Sequence, residues 1–211
     1  MLLHPADATW LFVLAHGAGA GSRHPFLDST ARALADRSVA TLRFDFPYAA
    51  AGRRVPDRPP VLIEAVRSAW DQARRVAPGL QLAGGGKSMG GRMSSAALAD
   101  RADPRIEACV FLGFPLHPAD RPGIVRAEHL TGVAVPMLFV QGERDRLADL
   151  ALLRPAVAGL GPRATLVELA DANHGFEVPR RSGRTAAQVV DGIAATVADW
   201  LAGLSGRRDG P

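Results

Sequence analysis

The fold of this chain is decided at residues 80–96, which read LQLAGGGKSMGGRMSSA. A short apolar run at 80–83 leads into GKSMG at 86–90, and a stretch of small residues follows. The pattern G-x-S-x-G between a strand and a helix predicts a sharp turn, in which the serine adopts a strained backbone conformation and the glycines avoid collisions. Such a turn would expose the hydroxyl of Ser88 at the start of a helix, where it could act as a nucleophile.

Outward from this turn, apolar runs alternate with helical patterns along the chain. Strands are predicted at 9–15, 39–44, 80–83, 106–112, 136–141 and 165–169. Helices are predicted at 25–37, 60–77, 90–102, 148–158 and 185–204, with a loop at 47–58. Alternating strands and helices, with continuously apolar strands, predict an α/β fold of about six mainly parallel strands with helices on both faces.

Length and composition predict one domain over residues 1–204, followed by a disordered tail at 205–211. The chain has 211 residues, and no run of about 18 apolar residues could insert into a membrane. The N-terminal residues lack the basic and apolar regions of a secretory signal, and Cys109 is the sole cysteine. We therefore expect a cytoplasmic protein, while nothing in the sequence indicates its oligomeric state.

The basic residues do not indicate nucleic-acid binding. The formal net charge is +4, and Lys87 is the sole lysine among 25 basic residues, so the rest are arginines. Arginine's very high pKa inflates the isoelectric point without creating a basic patch. Because most of these arginines are scattered among acids, no nucleic-acid partner is predicted.

Two glycine-rich stretches superficially resemble nucleotide-binding loops. Residues 84–88 resemble the end of a phosphate-binding loop, but the required earlier glycine is replaced by Gln81. Residues 17–21 resemble a dinucleotide loop, but its third glycine would fall at Ser22. No histidine pair has tight metal-ligand spacing. We therefore expect neither a cofactor nor a metal.

An acid and a base follow the fifth and sixth predicted strands. Residues 141–145 read QGERD and end in Asp145, and residues 172–176 read ANHGF around His174. The chain order Ser, Asp, His is that of a catalytic triad in which the histidine takes the serine proton and the acid orients the histidine. Three nearby acids are alternatives to Asp145 in this role: Glu143, Asp149 and Asp171.

A glycine-rich loop, HGAG at 16–19, directly follows the first predicted strand. Such a loop can turn a backbone N–H toward the nucleophile, and we assign this oxyanion donor to Ala18. The second donor is assigned to the N–H of Met89, which follows the serine. Lys87, on the other side of the serine, is expected to point to solvent or to a nearby carboxylate.

Six motifs together resemble a known family. HGAG, RFDFPY, GKSMGGR, GFPLHP, QGERD and NHGF, in this order, resemble the small bacterial α/β-hydrolase-like proteins over most of the chain. The same domain family includes a subunit of a eukaryotic histone acetyltransferase complex and is more distantly similar to dienelactone hydrolases. The resemblance implies a minimal α/β-hydrolase fold and the triad Ser88, Asp145 and His174. Dienelactone hydrolases use a cysteine nucleophile where this chain has serine, so their ring-opening activity is not implied.

These observations predict a serine hydrolase that cleaves small or accessible acyl esters or thioesters through an acyl-enzyme. The segment 116–135 is too short for a large lid, which favours a small-molecule acyl substrate. The expected substrate-binding residues are Gly17, Phe46, Tyr48, Phe114, Leu116 and His117. The alternatives are a catalytically silent interaction module of the same fold and a peptidase-type acyl hydrolase.

Overall fold

The computed structural model describes residues 1–206 of the chain. Over this range, seven strands form one sheet in the order β1-β3-β2-β4-β5-β6-β7. The strands are β1 (Leu2–Leu3), β2 (Trp10–Ala15), β3 (Val39–Leu42), β4 (Gln81–Lys87), β5 (Ile106–Leu112), β6 (Met137–Gly142) and β7 (Ala164–Leu169). Strands β2 to β7 are parallel to their neighbours, which confirms the predicted mainly parallel α/β fold. The sequence analysis did not predict β1, which pairs antiparallel with β3 at the edge of the sheet. Its two residues are too few to show a strand pattern in the sequence.

Six helices connect the strands within the same range. They are α1 (Pro25–Ala35), α2 (Pro47–Ala50), α3 (Pro59–Val76), α4 (Met89–Asp100), α5 (Leu150–Ala158) and α6 (Ala186–Ser205). Three short 3₁₀ segments lie at Val125–Gly132, Gly161–Arg163 and Arg180–Ser182. Helix α2 interrupts the stretch that was predicted to be loop.

The helices cover both faces of the sheet, so most of its strands are buried. Helices α3, α4 and α5 pack on one face, where Val66 and Trp70 of α3 are fully buried. Helices α1 and α6 pack on the other face through residues such as Leu34 and Ile193. Burial on both faces explains why the strands are continuously apolar instead of alternating.

Strand β4 is longer than its apolar run predicts, because the glycines at 84–86 belong to the strand and not to a loop. A Cβ at Gly84 would lie 3.1 Å from the ring of Trp70, so the missing side chains let the helix layer approach the sheet. Helix α6 reaches Ser205, whose hydroxyl accepts a hydrogen bond from Trp10 Nε1 at 2.9 Å. Residues 207–211 of the predicted tail lie outside the described residues.

No large lid follows β5. The segment from 113 to 136 contains one 3₁₀ helix, Val125–Gly132, which packs on α4 with Ala127 and Leu130 buried. No helical insertion after β5, within residues 113–136, therefore covers the carboxyl ends of the parallel strands. Among the described residues, no helix is long and apolar enough to cross a lipid bilayer.

Candidate active site

The turn between β4 and α4 holds Ser88 in a conformation that serine rarely adopts. Its φ is 51° and its ψ is −117°. A Cβ at Gly86 would lie 2.2 Å from the carbonyl oxygen of Ala15, and one at Gly90 would lie 2.5 Å from the same atom. Only glycine fits at either position, so the flanking glycines of the motif permit the turn.

His174 lies in the loop between β7 and α6 and contacts the serine directly. Its Nε2 is 2.8 Å from Ser88 Oγ. Asn173 stabilises this loop, because its side-chain oxygen accepts hydrogen bonds from the N–H groups of Gly175 and Glu177, both at 2.9 Å. The imidazole is thus presented to the serine by a turn with its own hydrogen bonds.

Asp145 lies on the far side of the same imidazole, in the loop after β6. Its Oδ2 is 2.6 Å from His174 Nδ1, and its side chain has no exposed surface. The other oxygen accepts from the N–H of Leu147 at 2.8 Å. Because a carboxylate only accepts, Nδ1 carries the proton and Nε2 is free to accept from the hydroxyl of Ser88.

The three alternative acids lie in other contacts. Glu143 accepts a hydrogen bond from the N–H of Asp171, and Asp171 itself pairs with Arg181. Asp149 caps helix α5 by accepting from the N–H of Ala151. Among these four acids, the structure brings only Asp145 against the histidine.

Gln141, at the end of β6, is a site residue that the sequence analysis missed. Its Nε2 donates to Asp145 Oδ2 at 2.5 Å, while its Oε1 accepts from the N–H of Phe114 at 2.9 Å. The amide therefore fixes the buried carboxylate to the end of β5. A polar residue in an otherwise apolar strand, two residues after Phe139, was the signal available in the sequence.

The loop after β2 lies next to the serine. A Cβ at Gly17 would lie 3.5 Å from the Cβ of Ser88. The carbonyl oxygen of Gly17 is 2.8 Å from Nδ1 of His16 and 3.4 Å from the hydroxyl of Tyr48, both fully buried. In a trans peptide the C=O and the following N–H point in opposite directions, so the Ala18 N–H points away from this interior pair.

His16 is held as a neutral ring. Its Nε2 accepts a hydrogen bond from the N–H of Phe46 at 3.1 Å, so Nδ1 carries the proton and donates to Gly17. Burial lowers the pKa of His16, which favours the same neutral form. The second expected donor, Met89, is the first residue of α4, and its N–H has no acceptor within the helix.

A cavity of about 350 Å³ opens beside these groups. Its wall includes Ser88 and His174 and is otherwise mostly apolar, with Phe26, Leu27 and Leu147 among its residues. The complete lining is Gly17, Ala18, Ala20, His24, Phe26, Leu27, Lys87, Ser88, Leu147, His174 and Gly175.

Of the expected substrate-binding residues, Gly17 lines this cavity and the other five do not. Those five are buried in the interior: Phe46, Tyr48, Phe114, Leu116 and His117. The aromatic residues pack beneath the strand ends, as Phe114 does against Phe111 and Phe139. His117 accepts from the N–H of Asp149 at 2.9 Å. These side chains follow buried strands and turn into the core, not toward the cavity beside Ser88, so their part in substrate binding stays a prediction.

Lys87 lines the cavity, and its ammonium contacts a main-chain carbonyl and not a carboxylate side chain. Its Nζ donates to the main-chain carbonyl of His174 at 2.6 Å. The same Nζ lies 5.2 Å from the centre of the Phe176 ring. Burial lowers its pKa to about 8, with a smaller opposing effect from the charge of Asp145.

Metal-ligating side chains are not clustered at the site. Within residues 1–206, no group of three or more histidine, cysteine, aspartate or glutamate side chains is arranged to hold a metal ion.

A family model described as an alpha/beta hydrolase domain matches residues 8–202. This range contains every residue of the site and all strands from β2 to β7. The match agrees with the resemblance that the six sequence motifs carry.

Solved structures share the same architecture. Dienelactone hydrolase from Anabaena variabilis is 24% identical, with a TM-score of 0.75 over 95% of this chain and 88% of that one. XC6422 from Xanthomonas campestris, described as a serine hydrolase without a lid, is 21% identical with a TM-score of 0.67, over 83% and 79% of the two chains. The esterase domain of a Rhodothermus marinus protein is 17% identical with a TM-score of 0.70, over 94% and 90%. At these identities the likeness shows the fold alone.

Proposed function

The chain belongs to the alpha/beta hydrolase domain family, and from this premise we propose that it is a serine hydrolase acting on small or accessible acyl esters or thioesters. The observation that carries the proposal is the continuous hydrogen-bonded line from Asp145 through His174 to Ser88, with contacts of 2.6 and 2.8 Å. Esterases and a lidless serine hydrolase among the structural neighbours support the same reaction class.

In the acylation step, Ser88 Oγ forms a bond to the substrate carbonyl carbon while His174 Nε2 takes the hydroxyl proton. The N–H groups of Ala18 and Met89 stabilise the negative charge that develops on the carbonyl oxygen. The bond to the leaving alcohol or thiol then breaks, and His174 returns the proton to that group. The product is an ester between the acyl group and Ser88.

In the deacylation step, water attacks the same carbon and gives a proton to His174. The bond to Ser88 Oγ breaks, the serine recovers its proton, and a carboxylic acid leaves. Asp145 stabilises the imidazolium in both steps and keeps Nδ1 protonated.

The cavity favours compact acyl groups. Its volume of about 350 Å³ and its walls at Phe26 and Leu147 suit a short apolar chain. No residue from 113–136, where a lid could have been inserted, lines it. Without a lid over the cavity, we expect the alcohol or thiol part of the substrate to extend into solvent.

The test is labelling of the purified protein with a fluorophosphonate, with the labelled peptide mapped by mass spectrometry. We expect one label on Ser88 of the wild type, and none in the Ser88→Ala and His174→Ala variants. Two matched controls should label as the wild type does. Ser68→Ala changes an exposed serine on α3, and His129→Gln changes a histidine that contacts a different, fully buried serine, Ser95, at 2.7 Å.

Folded wild-type protein that takes no label would contradict the proposal and favour a catalytically silent role. Label on another residue would contradict the assignment of Ser88. If Ser88 is labelled, turnover of p-nitrophenyl esters and acyl thioesters of increasing chain length would show which acyl chain length and which bond the enzyme prefers.

A further inference from the structure

Lys87 occupies a channel between two glycines. A Cβ at Gly17 would lie 3.7 Å from Lys87 Cγ, and one at Gly113 would lie 3.1 Å from Lys87 Nζ. Gly113 has a φ of 71°, a conformation that glycine adopts without strain. The stem of the lysine therefore passes from the end of β4 between the loops that follow β2 and β5.

The ammonium of Lys87 lies against the main chain of His174. It donates to the carbonyl oxygen of His174 at 2.6 Å and lies 5.2 Å from the ring centre of Phe176. A Cβ added at Gly113 would lie 3.1 Å from Lys87 Nζ and 3.6 Å from His174 Nδ1. Both groups therefore lie next to this glycine, and a side chain there would displace them.

A charged group at this place is costly, because burial disfavours the ammonium form. An apolar side chain of similar length, such as methionine, would fill the channel without that cost. The contact that distinguishes lysine from methionine is the hydrogen bond to the main-chain carbonyl of His174.

We infer that Lys87 is a positioning residue, which ties the main chain of His174 to the strand that carries Ser88 and so holds the imidazole between its two partners. This role rests on the proposed function, because it concerns the position of the His174 imidazole relative to the hydroxyl of Ser88. Displacement of a reacting group by about 1 Å can lower a rate about 100-fold, so a single tether here is consequential.

The first test compares wild type with Lys87→Met, using the ester that the wild type turns over. We expect kcat to fall about 10- to 100-fold with a smaller change in KM, because the base is misplaced while methionine keeps the length of a side chain that forms part of the cavity wall. The matched control is Arg163→Met. Arg163 also donates to a main-chain carbonyl, that of Val133 at 2.7 Å, but it lies at the amino ends of the strands, away from Ser88. This control should keep the wild-type kcat.

The second test restores the ammonium chemically. In the Lys87→Cys variant, alkylation of the thiolate by 2-bromoethylamine expels bromide and leaves an aminoethyl chain with sulfur in place of the γ-methylene. Lys87 is the sole lysine, and Cys109 is fully buried with its thiol pKa raised by that burial, so treated wild type should gain no group. We expect kcat to be low before alkylation and largely recovered after one group is added.

A third readout does not require turnover. Hydrogen exchange of the peptide spanning 170–178 should accelerate in Lys87→Met and return toward the wild-type rate in the alkylated Lys87→Cys protein. If the wild type neither hydrolyses esters nor reacts with the fluorophosphonate, the proposed function is contradicted. The exchange comparison would still show whether Lys87 holds the loop at 170–178.

Three results would overturn the inference: an unchanged kcat in folded Lys87→Met, a loss of kcat that alkylation does not reverse, or unchanged exchange at 170–178. The second would show that the loss does not come from the missing ammonium, because alkylation restores both the length of the side chain and its charge.

Discussion

Asp145 contacts His174 from a fully buried position, with 2.6 Å between Oδ2 and Nδ1. Its two oxygens also accept from Gln141 Nε2 and from the N–H of Leu147, so the carboxylate has little freedom to turn. A carboxylate held in this way selects one tautomer of the imidazole. The relationship gives the first prediction.

Asp145→Asn should lower kcat about 10⁴-fold, because an amide can present an N–H to Nδ1 and favour the wrong tautomer. Steady-state ester hydrolysis measures the loss. Asp149→Asn and Glu143→Gln, which alter acids outside the imidazole contact, are the matched controls and should stay close to wild type. Comparable losses in either control would reopen the identity of the acid.

The strained turn at Ser88 predicts an unusual stability effect. Ser88→Gly should raise the free energy of unfolding by about 1 kcal/mol relative to Ser88→Ala, because glycine tolerates a φ of 51° and alanine does not. Urea denaturation measures both variants.

The matched pair is Ser68→Gly and Ser68→Ala in helix α3, where the order of stability should reverse, since glycine weakens a helix interior. Equal stabilities of the two Ser88 variants would show that the turn stores no strain.

The buried ring of His16 predicts a pH dependence of stability. Its pKa is lowered in the folded state by burial, so below its ordinary value of about 6.5 the unfolded chain binds the proton more readily. This contribution to stability is present above that value and is lost as the pH falls below it. In His16→Phe, the unfolding free energy should therefore decline less steeply between pH 7 and pH 5.

Urea unfolding at several pH values measures this slope. Burial lowers the pKa of His129 as well, and His129 is present in both proteins, so the difference isolates His16. His16→Phe should also label more slowly with the fluorophosphonate, because the Gly17 carbonyl loses the shorter of its two side-chain hydrogen bonds. Identical slopes would contradict the burial argument.

Leu147 predicts the chain length that the cavity accepts. Leu147→Ala should raise kcat/KM for longer acyl esters relative to short ones by about tenfold, since a hydrophobic pocket discriminates by roughly 1–3 kcal/mol per methylene. A series of p-nitrophenyl esters measures the shift. Leu152→Ala, in helix α5 and outside the cavity, should leave the chain-length profile unchanged. A profile unaltered in Leu147→Ala would place the acyl group elsewhere.

The local pattern of residues 80–96 was sufficient to predict the turn at Ser88. A strand, a glycine-flanked serine and a helix of small residues follow one another directly, so the geometry of the turn depends on residues that are adjacent in sequence. Only glycine fits at positions 86 and 90, because a Cβ there would lie 2.2 or 2.5 Å from the carbonyl oxygen of Ala15. The order of strands and helices followed from periodicity in the same way.

Contacts between distant segments could not be read in this way. The sequence left four acids as candidates, because all four lie near the ends of the last strands. Only the packing of the loops after β6 and β7 brings Asp145 within 2.6 Å of the imidazole. The direction of a side chain after a buried strand depends equally on its surroundings, which is why Phe46 and Phe114 lie in the core.

By itself, then, the sequence determined the α/β-hydrolase fold and the serine turn, since both depend on local backbone geometry and on apolar periodicity. Tertiary structure alone decided which acid meets His174, that Lys87 donates to the His174 carbonyl, and which side chains wall the cavity. These are contacts between residues many positions apart, such as the 87 that separate Lys87 from His174, and they form only when the sheet brings the strand ends together.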